Sequence, residues 1–146
     1  MAIDYQSWEQ AVPEAIKADS LWKMTAYRRA LYLSDQCWQD TQTLLKDSHS
    51  APIADQLYRA VGSISANLAD GYSRVSAKDR ALFYQYALGS AREARDWYLK
   101  ARYTLGDVAF DQRVEVLTEI LRLLTKMIAQ QRGYLVREAS EHYQTS

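Results

Sequence analysis

The sequence contains little of what small proteins commonly use to fix a structure or to perform chemistry. Cys37 is the only cysteine, so no disulfide can form within the chain, and no Cys/His spacing typical of zinc is present. A single cysteine fits a reducing compartment, and we expect a cytoplasmic protein. The two histidines, His49 and His142, have no histidine or carboxylate partner at ligand spacing. We therefore expect no metal and no other cofactor.

Net charge and long apolar runs are also missing. The 18 basic residues balance the 18 acidic ones, so the chain has no overall attraction for nucleic acid or anionic lipid. Binding of that kind would need a local patch, or a patch multiplied by oligomerisation. No apolar run approaches the roughly 20 residues that span a bilayer, and residues 1–19 lack the pattern of a signal peptide. We expect no membrane partner.

Residues that break helices are rare, with five glycines and two prolines in 146 residues. Strong helix formers are abundant, which predicts an all-α chain. The length suits a single domain over residues 1–146 that needs no disulfide or metal to be stable.

Four long helices are predicted after a short helical lead-in around Trp8. Pro52, Ser76 and Gly106 mark helix ends by their usual capping positions, and Gly133 is expected to end the last helix. Short connections favour antiparallel neighbours, so the pattern predicts an up-down-up-down four-helix bundle. The predicted helices cover residues 21–46, 53–72, 77–105 and 110–132.

Each predicted helix has an apolar stripe at steps of three and four residues, which we expect to face the core. The last helix has a second stripe, so it should be covered on more than one side, either inside the bundle or by a neighbouring subunit. The core stripes are Met24, Tyr27, Leu31, Trp38 and Leu45; Leu57, Val61, Ile64 and Leu68; Phe83, Ala87, Ala91, Ala94, Tyr98, Ala101 and Leu105; Val114, Leu117, Leu121, Leu124 and Ile128. The second stripe is Val116, Ile120, Leu123 and Met127.

The segment "SISANLADGYSR", residues 63–74, puts small and polar residues into the second long helix. Gly62, Ser65 and Ala69 share one side, where another helix could approach closely. A glycine inside a helix costs about 1 kcal/mol relative to alanine, which close packing would offset. A neighbouring polar row contains Ser63, Asn67, Asp70 and Arg74, of which Asp70 and Arg74 are four residues apart and could form an ion pair.

An active site built on Asn67 and Asp70 is the alternative interpretation of this segment. These two side chains have no nearby histidine, cysteine or second carboxylate, so they offer no pair of nucleophile and base. We therefore predict no catalytic residues, and we assign the segment to helix packing.

Two stretches, "QLYRAVGSISANLADGYSR" and "FYQYALGSAREARDWYLKARYTLGD", resemble the central pattern of small bacterial four-helix-bundle proteins encoded in intervening sequences of 23S rRNA genes. Leu68 and Asp70 depart conservatively from that pattern. The resemblance implies a bundle that assembles into a ring, commonly a pentamer, with no enzymatic activity. The residues assigned to packing on this basis are Gly62, Ser63, Ser65, Asn67, Ala69, Asp70, Gly71, Gly89 and Ser90.

A branch of similar fold, the accessory variability proteins of diversity-generating retroelements, binds RNA and a reverse transcriptase through basic surfaces. The corresponding candidates here are Arg92, Arg95 and Arg102, which share a face of the third long helix, extended by Arg74 and Lys78. An ordinary solvated face is the competing interpretation, because Arg92 can pair with Asp96 and Asp96 with Lys100.

Aromatic residues crowd the same helix, at Tyr84, Tyr86, Trp97, Tyr98 and Tyr103. They could stack on bases or bury area at a protein interface, and zero net charge favours the interface. We therefore expect a non-enzymatic, oligomeric scaffold that binds another macromolecule, preferably protein. The alternative is an accessory factor for structured RNA or a nucleoprotein that uses the basic residues of the third helix.

Overall fold

The computed structural model describes the backbone of residues 3–145 and the side chains of residues 3–141. Over that part the chain is helical and contains no strand, which confirms the all-α prediction. The elements are α1 (Tyr5–Ala11), α2 (Glu14–Lys17), a 3₁₀ helix (Ser20–Lys23), α3 (Thr25–Leu45), α4 (Ala51–Tyr72), α5 (Ala77–Leu105) and α6 (Asp107–Thr145).

The boundaries of α5 coincide with the prediction because both of its ends have specific caps. The Ser76 side chain accepts a hydrogen bond of 3.1 Å from the backbone N–H of Asp79. Gly106 follows the last residue with φ of +85°, a conformation that residues with a side chain rarely adopt. Pro52 lies in the first turn of α4, where its missing N–H costs nothing.

The ends of α3 and α6 differ from the prediction. α3 begins at Thr25 rather than residue 21, because Ser20–Lys23 form a separate 3₁₀ turn capped by the Asp19 side chain. α6 does not end at residue 132; it begins at Asp107 and continues through Gly133 to Thr145. A glycine lowers helix stability by about 1 kcal/mol but ends a helix only where the chain turns into a left-handed cap, and Gly133 keeps a helical conformation.

The four long helices pack around one buried cluster. α4 packs against α3 and α5, α5 packs against α6, and α3 also contacts both α5 and α6. The predicted stripe of α4 is fully buried, as are Leu117 and Leu124 of α6. Both stripes of α6 contribute to the core, since Ile120 of the second stripe is fully buried too. The two stripes of α6 thus pack mainly within one chain, whereas Val108, Tyr134, Leu135 and Val136 are exposed.

The inward face of α3 was predicted only in part, since Tyr27 and Leu31 pack against the core. Trp38 and Leu45 are 53% and 58% exposed, whereas the buried apolar residues of α3 are Ala26, Ala30, Tyr32, Leu33, Cys37 and Leu44. The predicted stripe omitted Tyr32, Leu33 and Leu44, and the buried face also includes small apolar residues together with Asp40 and Thr41. Large apolar side chains of α3 therefore remain on the surface.

The lead-in is attached to the outer side of α3 by aromatic contacts. Trp8 is buried, with its ring centroid 5.4 Å from Tyr32 and 6.2 Å from Trp22. Its indole Nε1 donates a hydrogen bond of 2.6 Å to Asp35 Oδ2. These contacts fix α1 beside α3 and create the cleft described below.

Candidate functional sites

The two halves of the packing motif meet where α4 contacts α5. Ser63 Oγ lies 2.9 Å from Ser90 Oγ, which links the two helices directly. Asn67 Nδ2 donates to the Ser63 carbonyl at 2.9 Å and to Ser63 Oγ at 3.0 Å. Three predicted residues thus form one half-buried polar network. Each of the three side chains has a partner within the network, which suits a role in fixing helix register.

The glycines of the motif have different surroundings. A Cβ added at Gly71 would lie 2.8 Å from Tyr84 Cε1 and 2.9 Å from Phe83 Cβ, so α4 and α5 approach closely there. A Cβ at Gly62 or Gly89 would meet nothing within 4 Å. Close packing within the chain therefore explains Gly71. It does not explain Gly62, where the sequence predicted a close approach, or Gly89.

The remaining motif residues differ from one another in burial and in partners. Ser65 is buried and its Oγ donates to the Gly62 carbonyl at 3.3 Å. Ala69 is half-buried and Asp70 is exposed. Neither Asn67 nor Asp70 lines either of the two best-formed clefts among the described residues. The geometry gives no support to an active site on these residues.

We call the outer side of α5 next to the Ser63–Ser90 contact the seam surface; it consists of Leu82, Tyr86 and Gly89. Leu82 is 41% exposed and Tyr86 is 50% exposed. Their spacing of four and three residues places them in one row along the helix. The row therefore presents two large apolar side chains and, one turn further on, a glycine facing open space.

The predicted basic residues are divided between two regions. Arg92 and Arg95 are exposed on α5, and neither forms an ion pair with any residue between 3 and 141. Arg102 is half-buried, and its guanidinium lies 4.3 Å from the ring centre of Tyr103. Lys78 lies in the first turn of α5, about 21 Å along the helix from Arg92. The five residues do not form one compact patch.

The ion pairs expected around these residues are only partly present. Asp96 pairs with Lys100 at 2.7 Å, as the spacing indicated. Arg74 follows the end of α4, and its guanidinium stacks 4.4 Å from the ring centre of Phe83. Within the described residues Arg74 forms no ion pair with Asp70, because the helix ends between them and no longer holds the two side chains one turn apart.

A buried polar cluster escaped the sequence prediction. Arg113 donates from Nε to Asp40 Oδ2 at 2.8 Å and from Nη2 to Asp40 Oδ1 at 3.0 Å. The Tyr98 hydroxyl donates to the same Oδ2 at 2.7 Å. The cluster joins α3, α5 and α6 inside the core. Its charges are paired, so it holds three helices in register.

The environment of this cluster makes its neighbours chemically inert. Burial raises the pKa of Tyr98 well above its usual value. Burial likewise raises the pKa of the Cys37 thiol to about 12. Although burial opposes it, the hydrogen bond from Arg113 to Asp40 raises the pKa of the Arg113 guanidinium. At neutral pH, Cys37 is a protonated thiol and a poor nucleophile.

The sequence did contain a signal for the cluster. Asp40 lies three residues after Cys37 and seven after Leu33, both of which are buried. Arg113 lies three and four residues before Val116 and Leu117, which are also buried. When a charged residue lies on the buried face of each of two helices, the two charges are expected to pair. On α3 this could be recognised only after the buried face of the helix was known.

A cleft of about 760 Å³ lies between the lead-in and α3, beside the start of α6. It is lined by Ile3, Ser7, Trp8, Ala11, Tyr32, Asp35, Gln36, Trp38, Gln39 and Arg113. Gln36 is 8% exposed; its Nε2 donates to Gln112 Oε1 at 2.9 Å, while its Oε1 accepts no hydrogen bond from the described residues. This cleft was not anticipated from the sequence.

No group suited to metal binding occurs in the part of the chain described. No three or more His, Cys, Asp or Glu side chains come together there to hold an ion. His49 is exposed between α3 and α4. The side chain of His142 lies outside the described residues.

Between residues 3 and 145, none of the helices has the length and apolarity to cross a membrane.

These features define an all-α protein with a polar contact between α4 and α5, a buried ion pair and uncovered apolar surface. Residues 22–130 match the family model described as 23S rRNA-intervening sequence protein. The chain belongs to this family, as the resemblance of its central helices indicated. The match begins within the 3₁₀ helix, so α1 and α2 lie outside it.

A solved structure has a similar fold. It is the crystal structure of a protein of unknown function from the S23 ribosomal protein family of Bacteroides thetaiotaomicron VPI-5482. The TM-score is 0.67 at 21% sequence identity, and the match covers 71% of this chain and 98% of that chain. No curated protein sequence matches this chain.

Proposed function

We propose that the protein is a non-enzymatic scaffold, an up-down-up-down four-helix bundle that assembles with copies of itself into a ring and binds another protein. The packing of each long helix on the next, and of α3 on α6, supports the bundle. The main support for assembly into a ring is the open space at Gly89 on the seam surface.

Gly89 lies in the interior of a 29-residue helix, where glycine is less stable than alanine by about 1 kcal/mol. Nothing within the chain requires a glycine there, since an added Cβ would contact no atom within 4 Å. A helix from a second copy could approach the backbone at this point. Contact with that helix would offset the cost of the glycine.

Leu82 and Tyr86 supply the apolar area for such a contact. Aromatic residues are enriched in the cores of protein interfaces, and adjoining exposed apolar side chains mark interaction surfaces. The half-buried Ser63–Ser90 pair lies beside them and would form part of a polar rim. We also propose that the ring contains five copies of the chain and that the protein is cytoplasmic.

The absence of an enzymatic role is supported by the chemistry of the buried groups. Asp40, Tyr98 and Arg113 satisfy one another inside the core, and the raised pKa of the Cys37 thiol disfavours nucleophilic attack.

The test is the mass of Gly89→Gln in solution, measured by light scattering after gel filtration at micromolar concentration. The wild-type chain should have a mass several times the 16.8 kDa of one chain, and Gly89→Gln should shift toward that single-chain mass. The matched control is Ala129→Gln, which adds a similar side chain to an exposed position of α6 and should leave the mass unchanged. A wild-type mass of one chain would overturn the proposed assembly.

The alternative is an accessory factor for structured RNA, with Arg92 and Arg95 as its central contacts. The exposed position of both guanidinium groups, without carboxylate partners among residues 3–141, favours this second candidate. A ring would repeat the pair once per subunit and so compensate for the zero net charge of the chain.

A further inference from the structure

The cleft between α1 and α3 has the size and the wall chemistry of a small-molecule site. Its volume of about 760 Å³ falls within the range of about 300–1,000 Å³ typical of such sites. One wall is α1, which lies outside the family match, so this cleft is not explained by the features shared with the family. It is also separate from the seam surface on α5.

The charge in the cleft is negative. Asp35 and Arg113 are the two charged residues among those that line it. Arg113 is neutralised by the two hydrogen bonds to Asp40 beneath the cleft. Asp35 has no cation partner among the described residues, and its Oδ2 accepts from Trp8 Nε1. One carboxylate charge therefore remains available at the cleft.

The other lining groups suit a cation that carries N–H donors. Trp38 is 53% exposed, and the face of a tryptophan ring attracts a guanidinium or ammonium group. The Gln36 carbonyl Oε1 accepts no hydrogen bond from the described residues, which leaves a buried acceptor to be satisfied at the bottom of the cleft. Trp8 and Tyr32 add apolar walls for an aliphatic body.

We propose that this cleft binds a small organic cation, an ammonium or guanidinium group on a short aliphatic chain. In this arrangement the cationic group pairs with the Asp35 carboxylate and contacts the Trp38 ring. Its aliphatic chain lies against Trp8 and Tyr32, and a second donor reaches toward Gln36. The occupant is a free small molecule rather than a side chain of a partner protein.

The test is isothermal titration of the full chain with agmatine, which carries a guanidinium and an ammonium group. Agmatine should bind saturably, and the neutral analogue butylurea should bind at least about tenfold more weakly because it cannot form a charge-assisted hydrogen bond. Asp35→Asn should weaken agmatine binding by about tenfold or more. Asparagine keeps an oxygen that accepts from Trp8, so α1 should stay in place.

The matched control is Asp70→Asn, which removes one carboxylate charge from α4, outside the lining of the cleft. Its agmatine affinity should equal that of the wild type within about twofold. Three outcomes would each overturn the proposal: no saturable binding up to about 10 mM, equal binding of butylurea, or equal weakening by the two substitutions. A short arginine-containing peptide that binds while agmatine does not would also overturn it.

Discussion

Arg113 on α6 holds Asp40 on α3 through two parallel hydrogen bonds of 2.8 and 3.0 Å, within a core that is otherwise largely apolar. The two residues are 73 positions apart in the sequence, so the pair closes the contact between the first and last long helices. Tyr98 on α5 donates to the same carboxylate and brings the third helix into the arrangement.

Removing one partner of this pair should destabilise the chain strongly. Asp40→Leu leaves the Arg113 charge buried without its carboxylate, which typically costs about 3–5 kcal/mol of unfolding free energy. The double variant Asp40→Leu with Arg113→Met removes both charges and should recover most of the loss. Urea unfolding of Asp40→Leu, of Arg113→Met and of the double variant measures the difference. A double variant as unstable as the sum of the two single variants would contradict a direct pairing.

Two glycines of α4 should respond in opposite directions to the same substitution. Gly71→Ala places a Cβ 2.8 Å from Tyr84 and should lower the unfolding free energy by about 1–3 kcal/mol. Gly62→Ala meets no atom within 4 Å and should raise it by about 0.5–1 kcal/mol, because alanine is the better helix former. Chemical denaturation gives both values. Equal effects at the two positions would show that the contact at Gly71 is not what constrains it.

Stability should fall as the pH rises above about 9. Burial raises the pKa of the Cys37 thiol from its usual 9.0 to about 12, so the folded chain keeps a proton that the unfolded chain releases. The stabilisation is complete below pH 9 and is lost progressively between pH 9 and 12, by about 1 kcal/mol at pH 10. Tyr98, whose pKa is also raised by burial, adds to the loss above pH 10.

Urea unfolding at pH 8 and pH 10 measures this dependence, and Cys37→Ala is the variant that isolates the thiol. The variant should lose less stability between the two pH values than the wild type does. The exposed Ser48→Ala substitution serves as a control with the wild-type dependence. An identical pH dependence in Cys37→Ala and the wild type would assign the loss to other groups.

RNA binding, if it occurs, should depend on Arg92 and Arg95. Gel shifts with a structured RNA should then weaken steeply as salt rises, since binding releases counterions from the phosphates. Arg92→Glu with Arg95→Glu should abolish the shift, whereas Arg59→Glu with Arg122→Glu, on α4 and α6, should reduce it much less. No shift at low salt would exclude the RNA-binding candidate and leave the protein scaffold.

The helices were predictable where the side chains that face the core are large and where the caps are specific. The stripe of Leu57, Val61, Ile64 and Leu68 is buried as expected, and α5 begins and ends at the predicted residues. The face of α3 was not predictable from size alone, because Ala30 and Cys37 are buried while Trp38 is exposed. Burial there is decided by how closely neighbouring helices approach, which depends on the whole fold.

The candidate sites were predictable to different degrees. The contact of Ser63, Asn67 and Ser90 joins residues that the motif already associated. The cleft was not predictable, because it depends on where α1 attaches to α3 through the Trp8–Asp35 hydrogen bond, a contact between residues 27 positions apart. The Asp40–Arg113 pair likewise joins distant positions, and single-sequence periodicity says nothing about which helices meet.

Because α6 is so long, its C-terminal part extends beyond the buried core of the chain. Arg80 on α5 still donates to Gln131 at 2.9 Å, but residues Tyr134–Glu141 are exposed along every side of the helix. A helix end with few buried apolar contacts opens at a low free-energy cost. The amide protons of this end should therefore exchange with solvent faster than those of the buried part of α6, and a partner that covered the end would slow that exchange.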